Sequence, residues 1–471
     1  MAGTLLLSVA ICAQEKALPV LKVTYQAQGL NYETYIPGTM VLTDTDGTVT
    51  ELPAQFKTRG ATARQYSMKP SLNMKLRDAE GNESNTNLLG LREASSFILD
   101  AMAIDRINMR NRVCFDIWNS FSRLPYETEF GSRNGTVGKF IEMYINDEYK
   151  GIYCLSDKIN RKLLGLKKPK TDDDGTLKSI RGILYKHGTN DIGDQNTPGM
   201  YNDGLVCIVK PKDAWELHEP EDYPCDEAWA PLLELYENNN YKDYGYVKEH
   251  FYLQNLADYT IHLMALSISD NWGNKNKYFS IVNIQGDGDE TKFVVTPWDL
   301  DTSLGGDYNG SKYDGNYSNW QVKDIAKNAP LPFSTALSQQ EFKDMLKATW
   351  IRGRKGALAV DSVKQRLLVN CDLFEESGAW QRTLDYWATQ KYVECYVDDL
   401  RKEVNLVCEW YENRFKMMDE YFEITDDGNG ISVVTSPSDG TEIIYNLQGI
   451  RIESANTPGL YIINGKKVMV K

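Results

Sequence analysis

The chain is poor in the residues that mark zinc hydrolases and dithiol enzymes. Its 471 residues include only four histidines, His187, His218, His250 and His262, and no H-E-x-x-H spacing. That removes the usual zinc-hydrolase helix. None of its eight cysteines forms a C-x-x-C pair, so neither a zinc ribbon nor a redox couple is indicated. There is no Gly-x-Ser-x-Gly elbow. Basic residues are in deficit, 52 Lys plus Arg against 66 Asp plus Glu, for a net charge of −14. With no Lys/Arg stripe to offset that balance, nucleic acid is excluded as a partner, whereas a basic protein substrate is electrostatically favoured. No apolar run approaches the roughly 20 residues that span a bilayer, so no transmembrane segment is expected. Nor is any low-complexity tract long enough to imply disorder.

What is present reads as an α+β protein large enough for more than one domain. Thr4 to Ala13 is a short apolar run ending in a small residue. It has the pattern of a secretory h-region without its basic flank, so residues 1–13 are expected to be a signal peptide and the protein to be exported. Residues 18–80 alternate with period two, as in Leu72-Asn73-Met74-Lys75-Leu76. Val113, Cys114, Ile117, Trp118, Phe121 and Leu124 mark one helical face. Phe140 to Leu155 reads as a hairpin, and 165–225 as an insertion or long loops. A helix is expected over 251–269, then two strands, then helices from 341 to 421. After Thr425 short β-like runs take over, which predicts a separate all-β module over 426–471.

The chemistry concentrates in two clusters. Asp270-Asn271-Trp272-Gly273-Asn274-Lys275-Asn276 precedes a strand, a tight turn and a second strand, which ends in Pro297-Trp298-Asp299-Leu300-Asp301. A hairpin between them brings both carboxylates to one end. Phosphoryl transfer needs such a set: one Asp to orient the attacking hydroxyl, and an Asn plus a second Asp to hold the metal on the phosphates. Protein kinases use the same order, and Asn274 and Asn276 bracket their catalytic-loop spacing. The competing reading makes Asp270 a helix-end cap and Asp299 a partner of loop amides. Basic partners come from the first half, where Arg59 lies beside Gly60 and Lys69 and Lys75 flank an alternating strand. Lys75 read alone is equally a solvent-facing strand residue.

Lys57-Thr58-Arg59-Gly60-Ala61-Thr62 and Lys69 to Leu76 resemble the Arg-Gly and Lys-Lys blocks of the spore-coat CotH kinase family. Ile98 to Ala101, Asp105-Arg106, Met109-Arg110-Asn111, Glu142 to Tyr153, Gly182 to Lys186, Asp270-Asn271 and Pro297 to Asp301 resemble its later blocks in order, over roughly 18–420. Two positions depart from the family pattern: Ala61-Thr62 in the phosphate loop, and Ser156-Asp157 where a Glu is usual.

The resemblance implies an atypical protein-kinase-like fold over 14–425, with a β-rich N-terminal lobe and a mainly helical C-terminal part. It also implies ATP and Mg²⁺ as cofactors and Ser (or Thr) of a protein as acceptor. Carried over, Asp270 is the catalytic Asp and Asp299 the metal ligand. Asn276, with Asn274 as the alternative, completes the metal site, and Asp301 assists a second metal. Lys69 or Lys75 contacts phosphates with Arg59 nearby, and Glu142 pairs with the Lys. The tail, Ile444 to Gly449 and Pro458 to Lys467, resembles sorting domains of type IX secretion, implying a cell-surface or extracellular destination. From a different class, 28 Tyr and 10 Trp allow a non-catalytic binding or scaffold protein on a degenerate kinase fold.

Overall fold

Alternation of apolar and polar residues builds the first half of the chain into a barrel. In the computed structural model, β1 (Val20–Tyr25), β2 (Ile36–Thr43), β3 (Val49–Arg59), β4 (Ser71–Leu76), β5 (Ser96–Asp100), β6 (Gly138–Ile145) and β7 (Glu148–Asp157) close in the order β1-β2-β3-β4-β5-β7-β6. The ring is completed by parallel pairing of β1 with β6, Val20 opposite Glu142. The structure describes residues 17–60, 69–122, 124, 126, 133–187, 212, 215–268, 271, 277–306, 332–388 and 397–425, and the backbone of 444–445, 451–452, 459–463 and 466–470. The expected signal segment and Asp270, Asn274 and Asn276 lie outside the described residues. Two compact units are present, Met1–Phe422 and Glu423–Lys471.

Barrel register decides which side chains reach the surface. Leu72, Met74 and Leu76 of β4 fill the interior with Phe56 of β3, so Lys75 points outward. β3 pairs Arg59 with Ser71, Lys57 with Asn73 and Gln55 with Lys75, which puts Lys57, Arg59 and Lys75 on one outer face. The β6–β7 hairpin turns through Asn146 and Asp147, both at positive φ (50° and 64°). This is the twist a two-residue hairpin needs, and Asn and Asp tolerate it better than other side chains. Gly151, at φ 90°, is required: a Cβ there would lie 2.8 Å from the Thr383 side chain.

α1 (Arg110–Phe121) follows β5. Its first turn is held by Asp105, which accepts from the backbone N–H of Ile107 at 3.1 Å, Met109 at 2.7 Å and Arg110 at 2.6 Å. Beyond the barrel, the segment expected to be loops supplies strands: β8 (Lys170–Thr171) and β9 (Leu177–Ser179) as a small pair, then β10 (Ile183–His187) and β11 (Trp215–Glu219). With β12 (Lys277–Ile281) and β13 (Val294–Pro297), the last two form an antiparallel sheet ordered β11-β10-β12-β13. The helices are α2 (Asp226–Glu237), α3 (Tyr244–His250), α4 (Leu253–Leu266), α5 (Phe333–Leu337), α6 (Gln340–Arg354), α7 (Val360–Glu376), α8 (Ala379–Ala388) and α9 (Leu400–Tyr421). In the second unit β14 (Ile444–Tyr445), β15 (Arg451–Ile452), β16 (Gly459–Ile463) and β17 (Lys466–Val470) make one antiparallel sheet, ordered β15-β14-β16-β17.

β13 is an edge strand, yet every residue in it is buried, so its outer polar groups need partners other than water. Asn255 of α4 supplies them: its amide oxygen accepts the Val295 N–H at 2.7 Å, and its amide nitrogen donates to the Val295 carbonyl at 3.0 Å. Asn134 donates to the same carbonyl at 3.0 Å and accepts from the Thr296 hydroxyl. These amides act as a substitute strand, fixing the end of β13. Asn255→Ala should therefore destabilise the protein by about 1–3 kcal/mol, the usual cost of stranding a buried backbone pair. Urea denaturation reads it, and an unchanged midpoint would refute the substitute-strand account.

Candidate functional site

Asn271, the described residue of the first polar cluster, reaches the second cluster at the end of the β12–β13 hairpin. Lys277, which opens β12, pairs with Pro297, which closes β13, so the segments before and after the hairpin leave the same end of the sheet. Asn271 donates to the Trp298 carbonyl at 3.0 Å, joining the first cluster to the second. Asp299 adopts φ 62° in this turn, a left-handed conformation that Asp visits more readily than most residues with a side chain. Its neighbours hold it in place. Leu300 is fully buried, its N–H donates to the Asn111 amide oxygen of α1 at 3.1 Å, and its carbonyl accepts from the Ser303 hydroxyl at 2.7 Å. Trp298 donates its indole N–H to the His187 carbonyl at 3.3 Å. Asp299 and Asp301 are both half-buried at this turn.

Cations gather within electrostatic range of this turn. Lys186 of β10 lies over the Trp298 ring, 5.0 Å from its centroid. From the barrel face, Lys57 and Lys75 both lie over the Tyr35 ring, at 5.0 and 4.6 Å. Lys158, just past β7, is lowered to about 8 by burial and by the charges of Lys75, Arg59 and Lys186, against the opposing pull of Glu221. Burial, together with Lys158, Lys186 and Lys57, pushes His218 down to about 3, so its ring is neutral at pH 7. Burial raises the Tyr278 hydroxyl; Glu216 and Asp299 add to the rise and Arg59 opposes it. Tyr278 lies between two further rings, 5.9 Å from His218 and 6.3 Å from Trp298. The outer barrel face and the second sheet thus bring cations, carboxylates and aromatic rings within electrostatic reach of one another, with Lys186 3.6 Å from Glu216.

The other expected site residues have different surroundings. Lys69 is 2% exposed, donates to the Ile152 carbonyl at 2.5 Å and the Asn108 amide oxygen at 3.3 Å, and lies 4.7 Å from the Tyr153 ring centroid. It ties the loop before α1 to the barrel. The expected pairing of Glu142 with a lysine is corrected: Glu142 is held by Arg382 of α8 through two bonds, 2.9 and 2.8 Å, and by the Tyr149 hydroxyl at 2.7 Å. A bidentate guanidinium satisfies a carboxylate better than an ammonium does, and α8 is seated on this strand edge by Thr383, which accepts the Ile152 N–H at 3.2 Å. Asp157, at one departure from the family pattern, is a barrel residue that accepts the Val137 N–H at 2.8 Å.

A Mg²⁺ ion takes hard oxygen donors and is held by one or two carboxylates plus substrate phosphates. Asp299 and Asp301, two residues apart on one turn, fit that requirement. Among the described residues no group of three His, Cys, Asp or Glu side chains forms a metal cage, and Mg²⁺ on phosphates needs none. Lys158, His218 and Tyr35 were not anticipated from sequence, for nothing local distinguishes them from surface residues.

A closed seven-stranded barrel, a second antiparallel sheet and the helices make this an α+β protein. The family model for CotH kinase protein matches residues 56–418, and the chain belongs to that family. A search of curated proteins finds no match.

The burial of Lys69 has a signed consequence for stability. Desolvation lowers it to about 7, partly offset by Asp100, from an ordinary value of 10.5. Between those values the unfolded chain binds the proton that the folded chain has released, so stability rises with pH across that window. The stability of wild-type minus that of Lys69→Met should climb from pH 7 to about 9.5. A flat difference in paired denaturation series would refute it.

Proposed function

We propose that this protein is an exported protein kinase that transfers the γ-phosphate of ATP to Ser or Thr of a protein, with Mg²⁺. Family membership supports a kinase, and the observation that supports the finer reading is the bond from Asn271, the residue after Asp270 in sequence, to the Trp298 carbonyl. Asp270 orients the acceptor hydroxyl and takes its proton as the new P–O bond forms and the γ-phosphate leaves ADP. Asp299 and Asp301, with Asn276 or alternatively Asn274, would hold Mg²⁺. When bound, that ion neutralises charge on the transferring phosphate.

The chain's own cations do the rest. Arg59 and Lys75 on the barrel face, with Lys158 and Lys186, present positive charge to the polyphosphate from several sides, and the half-buried Trp298 ring offers a flat surface for a base. Lys69 serves behind them as a scaffold contact. The net charge of −14 favours a basic protein substrate. Export and a surface destination rest on the Thr4–Ala13 run and the tail resemblance to type IX sorting domains.

Asp299→Ala should cut phosphate transfer from γ-labelled ATP to a basic Ser-rich protein by at least roughly 10²–10³-fold while the fold is retained. Wild-type protein should gain about 2.7 kcal/mol of stability with ATP and Mg²⁺ at a hundredfold excess over Kd. Equal transfer by the variant would refute the assignment of Asp299. Absence of both transfer and thermal shift in wild-type protein would favour the binding or scaffold reading.

A further inference from the structure

Asp299 is bracketed by two side-chain amides, one on each flanking peptide group. Asn271 holds the Trp298 carbonyl at 3.0 Å, and Asn111 accepts the Leu300 N–H at 3.1 Å. Asn111 belongs to the first turn of α1, and its other end is fixed: its amide nitrogen donates to the Asp100 carboxylate at 2.8 Å. Asp100 closes β5 and is itself held by the Met102 N–H at 3.0 Å and the Ser71 hydroxyl at 3.4 Å. Ser71 opens β4 opposite Arg59, and its hydroxyl oxygen accepts the Ala101 N–H at 2.9 Å. A continuous polar path therefore joins the barrel face that carries Arg59 to the peptide group after Asp299.

We infer that Asn111, oriented by Asp100, is a positioning residue that holds the Asp299 turn in its left-handed conformation for metal binding; this rests on the kinase reading above. At φ 62° Asp299 lies in a region that Asp visits but does not prefer, and the Leu300 peptide that follows it is held at its nitrogen by Asn111. Because Asp100 can only accept, Asn111 must present nitrogen to it and therefore oxygen to Leu300, so the carboxylate sets which way the amide faces. Partners that orient a ligand from outside the coordination sphere typically alter metal affinity by about 10–100-fold when removed.

The test uses the full chain and variants Asn111→Ala, Asn111→Asp, and Asn111→Asp combined with Asp100→Asn. Two readouts do not depend on turnover: hydrogen exchange at the Leu300 amide, and Mn²⁺ binding in the presence of a non-hydrolysable ATP analogue, followed by electron paramagnetic resonance. In Asn111→Ala, Leu300 exchange should accelerate and Mn²⁺ affinity fall by about tenfold. Asn111→Asp places two carboxylates face to face and should do the same. The combined swap restores a donor–acceptor pair between the two positions and leaves an oxygen for the Leu300 N–H, so both readouts should return toward wild type.

Wild-type values of both readouts in Asn111→Ala would overturn the relay. Should Asn111→Ala fail to fold, the single and combined swaps decide: equal defects in both would overturn it as well. Wild-type protein that takes up neither Mn²⁺ nor the nucleotide analogue would instead overturn the kinase reading, and the inference with it.

Discussion

The site depends on how β13 satisfies its backbone. A fully buried edge strand is unstable unless each outward N–H and C=O finds a partner, because water cannot reach it. Asn255 and Asn134 meet that need with side-chain amides in place of a neighbouring strand. The same bonds bind the sheet to α4 and to the loop before β6. With the end of β13 fixed, the chain enters the Trp298–Asp301 turn at a defined angle. The left-handed residue at its centre is then held by contacts from both sides, and not by its own preference.

Electrostatics near the Asp299 turn run against those of the whole chain. The protein carries a net charge of −14, yet Lys158 and His218 are depressed by burial first and then by neighbouring cations, Lys75, Arg59 and Lys186 for Lys158 and Lys158, Lys186 and Lys57 for His218. Cations held together in a partly desolvated space repel, and that repulsion opposes folding until an anion enters. Cation–π contacts with Tyr35 and Trp298 offset part of it by stacking the ammonium groups on ring faces. The carboxylate turn at Asp299 adds negative charge.

Local periodicity made much of the scaffold legible. The period-two run at Leu72–Leu76 became β4 with its apolar side inward, the Phe140–Leu155 segment became the β6–β7 hairpin, and the helix expected over 251–269 became α4. Barrel closure was not legible, since the parallel pairing of β1 with β6 joins strands with no local signal for each other. The strands of 165–225 were hidden because they are short and separated by Gly- and Asp-rich turns. At the site, the hairpin order correctly placed the 271 and 298 segments together. Glu142 was misread because its partner, Arg382, lies 240 residues away on a helix. Lys158 became notable only when three separate elements converged on it.

The left-handed backbone at Asp299 and the charge crowding at Lys158 have a common logic. Each is unfavourable in isolation, and each is maintained by contacts reaching across elements: Asn111 from α1 and Asn271 from the start of the hairpin for the turn, the barrel face and β10 for the cations. Such arrangements reduce the reorganisation needed when a charged ligand binds, because the dipoles and charges already stand where the ligand needs them. The clamp on Asp299 continues through a polar path by way of Asn111 and Asp100 back to the barrel, so the position of the Asp299 turn is tied to the rigid closed sheet.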